Sequence, residues 1–246
     1  MVLLLTASLF VSKGTVVMIH GAGGGGWEYD KWKPVFQQAG WTVVANDLVP
    51  TKGKYEKTQF KDYVDQVVAS APKTGKLVYI GASMGGILAL KANEIRPADA
   101  VILINSVAPK GAASMKTAEP LPPIVRWANG PLKDTEDSMP DSDRKTILWA
   151  WKRWRNESGT VMNTIRAGVE AQKPKCPTLV MIGENDTDVA PQKSRQLAQW
   201  AKADVESYRG MSHVGPLLST AAKHVAEDAV NWLKKRLNHE SKFGKY

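Results

Sequence analysis

Apolar positions fall along this chain in two alternating rhythms. Short continuous runs, TVVMI (15–19), TVVAN (42–46), LVYI (77–80), VILIN (101–105) and TLVMI (178–182), are rich in Val and Ile. Unbroken runs mark strands buried on both faces, as in a parallel sheet with helices on each side. The intervening segments 28–39, 58–70, 84–95, 191–202 and 220–237 carry apolar residues at helical spacing. In the last of these, Ala222, Val225, Ala226, Ala229, Val230, Leu233 and Leu237 form one stripe, with Lys and Glu opposite. Further strands are expected over SLFVS (8–12), leading through Lys13 and Gly14 into the first run, and over ADVESY (203–208). The predicted class is α/β, with a mostly parallel, doubly wound open sheet.

One interval breaks the rhythm. Residues 106–177 contain EPLPP, ANGPLKDTEDSMPDSD and then Trp149, Trp151 and Trp154, with no strand signal. An inserted helical subdomain entered through Pro-rich loops is expected, a common way to build an active-site lid. Val125, Trp127, Ile147, Leu148, Trp149, Trp151 and Trp154 are too apolar to face solvent on both sides. Leu148, Trp151 and Trp154, three apart, are expected on one face lining a cavity. Lys152, Arg153 and Arg155 keep open a basic site for an acidic substrate, although helical spacing points Lys152 and Arg153 to water.

Composition narrows the class. With 246 residues, 43% hydrophobic and 23% charged, the chain reads as an ordinary soluble globular protein with a substantial core. The net charge of +9 is scattered, which suits solubility better than a polyanionic partner. In WKRWR (151–155) basic and aromatic residues interleave, but no nucleic-acid module accompanies them, so no nucleic-acid partner is expected. A single cysteine, Cys176, excludes an intrachain disulfide, and a cytoplasmic protein is the default. The apolar start lacks a basic region and a small-residue cleavage site before Lys13, and it is too short to span a bilayer. A monomer or homodimer is expected.

The stretch VVMIHGAGGGGW (16–27) admits two readings. Gly21, Gly23 and Gly26 have dinucleotide-fingerprint spacing, and Asp47 follows Gly26 by 21 residues. An NAD(P)-dependent reductase would look like this, although its Tyr-x-x-x-Lys occurs here only at Tyr29–Lys33, directly after the loop. His20, however, has no place in that fingerprint. The run LVYI continues into GASMGG, so residues 81–85 match G-x-S-x-G between a buried strand and a helix. There a serine sits on a sharp, strained turn, its flanking positions must be nearly free of side chains, and the helix dipole favours developing negative charge. Ser83 needs a base. Of four histidines, His20 belongs to the glycine loop, His224 to the last helix and His239 to the polar tail, which leaves His213. Asp186 and Asp188, just past a strand end, are both candidates to orient it. The order Ser, Asp, His is that of α/β-hydrolases.

The chain resembles the α/β-hydrolase superfamily over nearly its whole length. MIHGAGGGGW is similar to the family's oxyanion loop, NDL (46–48) to its Asp-Leu, GASMGG to its nucleophile elbow, IGENDTDV to its acid turn and GMSHVGP to its histidine loop. The resemblance selects Asp186 over Asp188. It implies an oxyanion hole from the N–H groups of Ala22 and Met84, with His20 bracing the loop and Asp47 a turn residue. It divides the chain into a hydrolase core at 1–108, a helical cap at 109–175 and a second core part at 176–246. Two departures stand out: DLVPTKGK lacks the family's Pro-Gly-x-Gly, and only 19 residues precede His20, so the family's first strand is expected to be short or missing. The implied activity is a serine carboxylesterase acting on small to medium uncharged esters, with Trp27, Trp151, Trp154 and Val214 contacting substrate, and with no metal or organic cofactor. Other members cleave lactones, thioesters, amides or C–C bonds, act as hydroxynitrile lyases or perhydrolases, or serve as small-molecule receptors.

Overall fold

The computed structural model describes residues 12–113 and 119–243, and in the last helix side chains up to residue 237. In chain order the strands are β1 (Thr15–Ile19), β2 (Thr42–Val44), β3 (Leu77–Ala82), β4 (Ala100–Ile104), β5 (Ile124–Val125), β6 (Glu157–Ser158), β7 (Thr178–Gly183) and β8 (Asp204–Tyr208). The helices are α1 (Lys33–Gln38), α2 (Phe60–Ser70), α3 (Met84–Ile95), α4 (Leu132–Ser138), α5 (Arg144–Trp151), α6 (Gly159–Ala167), α7 (Pro191–Ala201), α8 (Gly215–Leu218) and α9 (Ala222–Phe243). Six strands form one sheet in the order β2-β1-β3-β4-β7-β8, and every neighbouring pair is parallel.

The continuous apolar runs are divided between two layers by the two-residue period of the strand. Val16, Met18, Val78, Ile80, Ile102, Ile104, Leu179 and Met181 point to the side covered by α1 and α9. Val17, Ile19, Leu77, Tyr79, Val101, Leu103, Val180 and Ile182 point to the side covered by α2, α3 and α7. Each such side chain contributes about 1.5–3 kcal/mol when fully buried. Only β8, at the sheet edge, turns its middle residues outward. Helix starts follow local chemistry: Pro34, Pro191 and Pro216 open α1, α7 and α8, and Asp143 and Ser158 cap α5 and α6 by accepting from Thr146 N–H (2.8 Å) and Val161 N–H (3.2 Å).

Several expectations need correction. The strand expected over 42–46 stops at Val44, beyond which Asp47 and Leu48 turn to meet the glycine loop. The helix expected over 28–39 is split into a 3-10 turn at Gly26–Tyr29 and α1, with Pro34 in the first turn of α1. Between β4 and β7 the chain is not purely helical, because β5 and β6 pair antiparallel beside α4, α5 and α6. Two-residue strands are too short to leave a period in sequence. The strand expected over 8–12 lies outside the described residues except for Ser12, which is not in a strand.

This topology fixes where a site can form. From β1 the chain steps one way to β2 and the other way to β3, so the carboxyl ends of β1 and β3 diverge at a switch point, where open α/β sheets bind ligands. The glycine loop leaves β1 there, and Ser83 leaves β3 beside it. The segment between β4 and β7 is anchored in both layers: Ile147 and Ala150 of α5 join one core, and Val161 and Ile165 of α6 join the other.

Candidate active site

Ser83 occupies a sharp turn with φ 52 and ψ −119, just before α3. Any residue with a side chain is strained at this positive φ, Ser83 included, and the flanking glycines are obligatory for packing. A Cβ on Gly81 would collide with the Gly85 carbonyl, and one on Gly85 with the Ile19 carbonyl. Gly86 is equally constrained by the Ser106 hydroxyl. The Ser83 N–H donates to Ile104 O at 3.0 Å, so the half-buried nucleophile candidate is tied to the end of β4.

His213 and Asp186 are brought together. Asp186, fully buried, accepts from His213 Nδ1 at 2.8 Å with its Oδ2, while its Oδ1 accepts from Asp188 N–H (2.8 Å) and Val189 N–H (2.9 Å). A carboxylate can only accept, so the proton sits on Nδ1 and the Nε2 lone pair is left to act as a base. Burial alone would lower the His213 pKa, but the hydrogen bond and charge of Asp186, aided by Asp188 and Glu28, outweigh it and hold the imidazole above its ordinary value. Asp188 is exposed. Among the described residues no hydrogen bond joins Ser83 Oγ to His213; such bonds are commonly long before substrate arrives. Two further residues set the histidine loop. Asn105, itself left-handed at φ 42, donates through Nδ2 to His213 O (2.8 Å) and accepts from Gly183 N–H (2.7 Å). Asp141, beyond α4, accepts from Ser212 N–H (2.9 Å) and Ser212 Oγ (2.8 Å).

The glycine loop is held by side chains from four segments. His20, fully buried, donates through Nδ1 to Gly21 O (2.7 Å), and its Nε2 accepts from Leu48 N–H (2.9 Å) and Arg155 Nη2 (3.2 Å). Burial keeps it neutral, with its pKa down at about 4. The loop N–H groups of Gly21, Gly23 and Gly26 donate to Glu28 Oε2 (3.2 Å), Glu157 Oε2 (3.1 Å) and Asp47 Oδ1 (2.8 Å). Arg155 completes the clamp: its N–H donates to Gly23 O (2.7 Å), its Nε to Gly24 O (2.6 Å), and its Nη1 pairs with Asp47 at 3.6 Å. The dinucleotide reading fails here, because the N–H groups that would cradle a pyrophosphate already serve carboxylates. Ala22 N–H has no acceptor among the described residues, and Met84 N–H lies in the first turn of α3, where backbone donors are orphans. Gly21 itself lies against Ser83: a Cβ on it would stand 3.3 Å from Ser83 Cβ.

The aromatic residues are rearranged relative to expectation. Trp27 packs edge-on against Trp149 (5.1 Å between centroids) and Trp154 (4.9 Å). Trp151 turns away, its indole N–H donating to Gly130 O at 2.7 Å. Leu148, Trp151 and Trp154 do not share a face because α5 ends at Trp151, before Trp154. Arg153 is exposed over the Trp149 ring at 4.3 Å, and Lys152 is exposed, as expected. Trp127 packs on Gly23 and remains 40% exposed. Val214 follows His213 at the start of α8. Glu28, Asn105, Asp141 and Glu157 were not singled out from sequence; only Glu28, a lone acid between Trp27 and Tyr29, carries a visible signal. Among the described residues no group of three or more His, Cys, Asp or Glu could hold a metal ion, and no helix is long and apolar enough to cross a membrane.

A model of the alpha/beta hydrolase family matches residues 16–227. The chain belongs to the α/β-hydrolase family. Over 88 residues it is 34% identical to norfluorocurarine synthase 1 of Strychnos nux-vomica and 35% identical to polyneuridine aldehyde esterase of Rauvolfia serpentina. Each match covers 33% of this chain and 33% of the relative, so this α/β-hydrolase aligns with only about a third of those proteins. Its fold is close to that of tomato methylketone synthase I complexed with 2-tridecanone (TM-score 0.72, 18% identity, 92% of this chain and 100% of that one). It is equally close to a pyrethroid hydrolase from Sphingobium faniae JZ-2 (TM-score 0.72, 20% identity, 92% and 99%).

Proposed function

We propose that this α/β-hydrolase is a serine carboxylesterase of small to medium uncharged esters. Ser83 attacks the carbonyl, and His213 takes its proton and returns it to the leaving alcohol. Asp186 fixes the His213 tautomer, and the N–H groups of Ala22 and Met84 hold the oxyanion, each such donor being worth about 100- to 1000-fold in rate. Water then releases the acyl group. The observation that carries this reading is the His213–Asp186 pair at 2.8 Å, on loops at the same sheet end as the strained Ser83 turn. The aromatic cluster of Trp27, Trp149 and Trp154 supports an apolar acyl or alcohol part, as do relatives whose names include esterases and a pyrethroid hydrolase. Residues 109–175 act as the cap in this reading. A fluorophosphonate probe tests it: labelling at Ser83, with hydrolysis of p-nitrophenyl esters lost in Ser83→Ala, is expected. Labelling elsewhere, or full activity in Ser83→Ala, overturns it.

A further inference from the structure

Glu28 is a buried carboxyl that ester hydrolysis by Ser83, His213 and Asp186 does not use. It is only 3% exposed, and its Oε2 accepts from Gly21 N–H at 3.2 Å. A Cβ on Gly24 would collide with its Oε1, so the loop is folded directly over the acid. The same small Gly21 that carries Glu28 on one side touches Ser83 on the other: a Cβ there would lie 3.3 Å from Ser83 Cβ and 3.8 Å from Glu28 Oε2. Charged groups face Glu28 from two other elements, His213 from the loop after β8 and Arg155 from the segment before β6; on its own element Tyr29 is adjacent.

Resting on the esterase reading, we propose that Glu28 is a positioning residue whose proton controls the hydrolytic site. Protonated, it supports the glycine loop as a neutral acceptor. Ionised, it places a negative charge beside the position of the developing oxyanion and holds His213 in its protonated, inactive form. Burial pushes the Glu28 carboxyl up to about 7, with the Gly21 N–H, His213 and Arg155 opposing, so the change falls in the working range. The imidazole and the carboxyl interact electrostatically, each acting on the other's proton affinity. The active arrangement has the proton on Glu28, and the inactive one on His213. The two groups titrate as a pair with macroscopic pKa values.

The test is the pH profile of kcat/KM for p-nitrophenyl acetate, together with the rate of fluorophosphonate labelling, from pH 5 to 9. The wild type is expected to show a bell, falling at least about threefold from its neutral maximum to pH 9. In Glu28→Gln, which keeps an acceptor for Gly21 N–H, the alkaline limb should vanish while the acid limb stays in place or moves slightly to higher pH, because the active form already has a neutral group at this position. Glu28→Met, neutral without the acceptor, should also lose the alkaline limb while labelling more slowly. Melting gives an activity-independent check: Glu28→Gln should gain at least about 2 °C over the wild type at pH 8.5, and the gain should shrink toward pH 5. A wild-type profile without an alkaline limb, or an unchanged bell in Glu28→Gln, overturns the proposal. If instead Ser83→Ala retains hydrolysis, the esterase reading itself has failed, whatever the Glu28 profiles show.

Discussion

The backbone N–H of Gly23 donates to the carboxylate of Glu157 at 3.1 Å, joining residues 134 positions apart. The same carboxylate accepts from Tyr63 OH and Ser158 N–H, both at 2.7 Å, so three buried donors converge on one side chain. Glu157→Ala leaves all three unpaired, at about 1–3 kcal/mol each, and frees the glycine loop. The expected outcome is a loss of stability of about 3–5 kcal/mol in urea unfolding and a fall in kcat of about 10- to 100-fold with KM changed far less. Equal kcat in the folded variant would show that the loop keeps its geometry without the clamp.

Asp186→Asn should cost about 1000-fold or more in kcat, since an amide facing His213 Nδ1 permits the wrong tautomer. Asp188→Asn should cost less than about threefold, because Asp188 is exposed and its hydrogen bond to Asp186 runs through its backbone N–H, which the amide leaves intact. Steady-state kinetics of both variants on one ester decide it, and the reverse ranking would move the acid to Asp188.

His20 gives the fold an acid limit. Folded, it binds a proton only near pH 4, whereas in the unfolded chain it does so near 6.5. Between these values the unfolded chain holds more protons, so stability is lost as pH falls through that window, by about 3 kcal/mol in all. The stability gap between wild type and His20→Asn, measured by urea unfolding, should therefore narrow by about 2–3 kcal/mol from pH 7 to pH 4.5. A constant gap would mean that His20 is protonated without penalty.

Trp149→Ala or Trp154→Ala should change preference along the p-nitrophenyl acetate-to-palmitate series more than it changes acetate turnover, because these rings pack on Trp27. Trp151→Ala should lower stability without shifting preference, since its indole is committed to Gly130 O. A shift in Trp151→Ala alone would restore the face expected from helical spacing.

What the sequence showed and what it hid separate along physical lines. The sheet was legible because strands buried on both faces leave long apolar runs, and Gly81, Ser83 and Gly85 because a strained turn tolerates few residue types. His213 stood out because there are only four histidines. The partners that hold the loops were not legible. Glu157 and Asp141 lie far from Gly23 and Ser212 in the chain, and nothing in a charged residue's own neighbourhood tells which backbone N–H it will meet. Trp149 and Trp151 were exchanged because the spacing assumed a helix that continues past Trp151.

The carboxylates of Asp47 and Glu157 on the glycine loop, joined by that of Glu28 once it ionises, face one guanidinium there, that of Arg155. The chain as a whole carries a net charge of +9, but its outlying charges do not reach this spot undiminished through screening solvent. In the proposed reaction an uncharged ester enters such a field without cost, and hydrolysis turns its acyl half into an anion. The field that leaves the substrate alone then drives the product out, so turnover should be little slowed by accumulating carboxylic acid, and acids of the same shape as the substrate should be poor inhibitors.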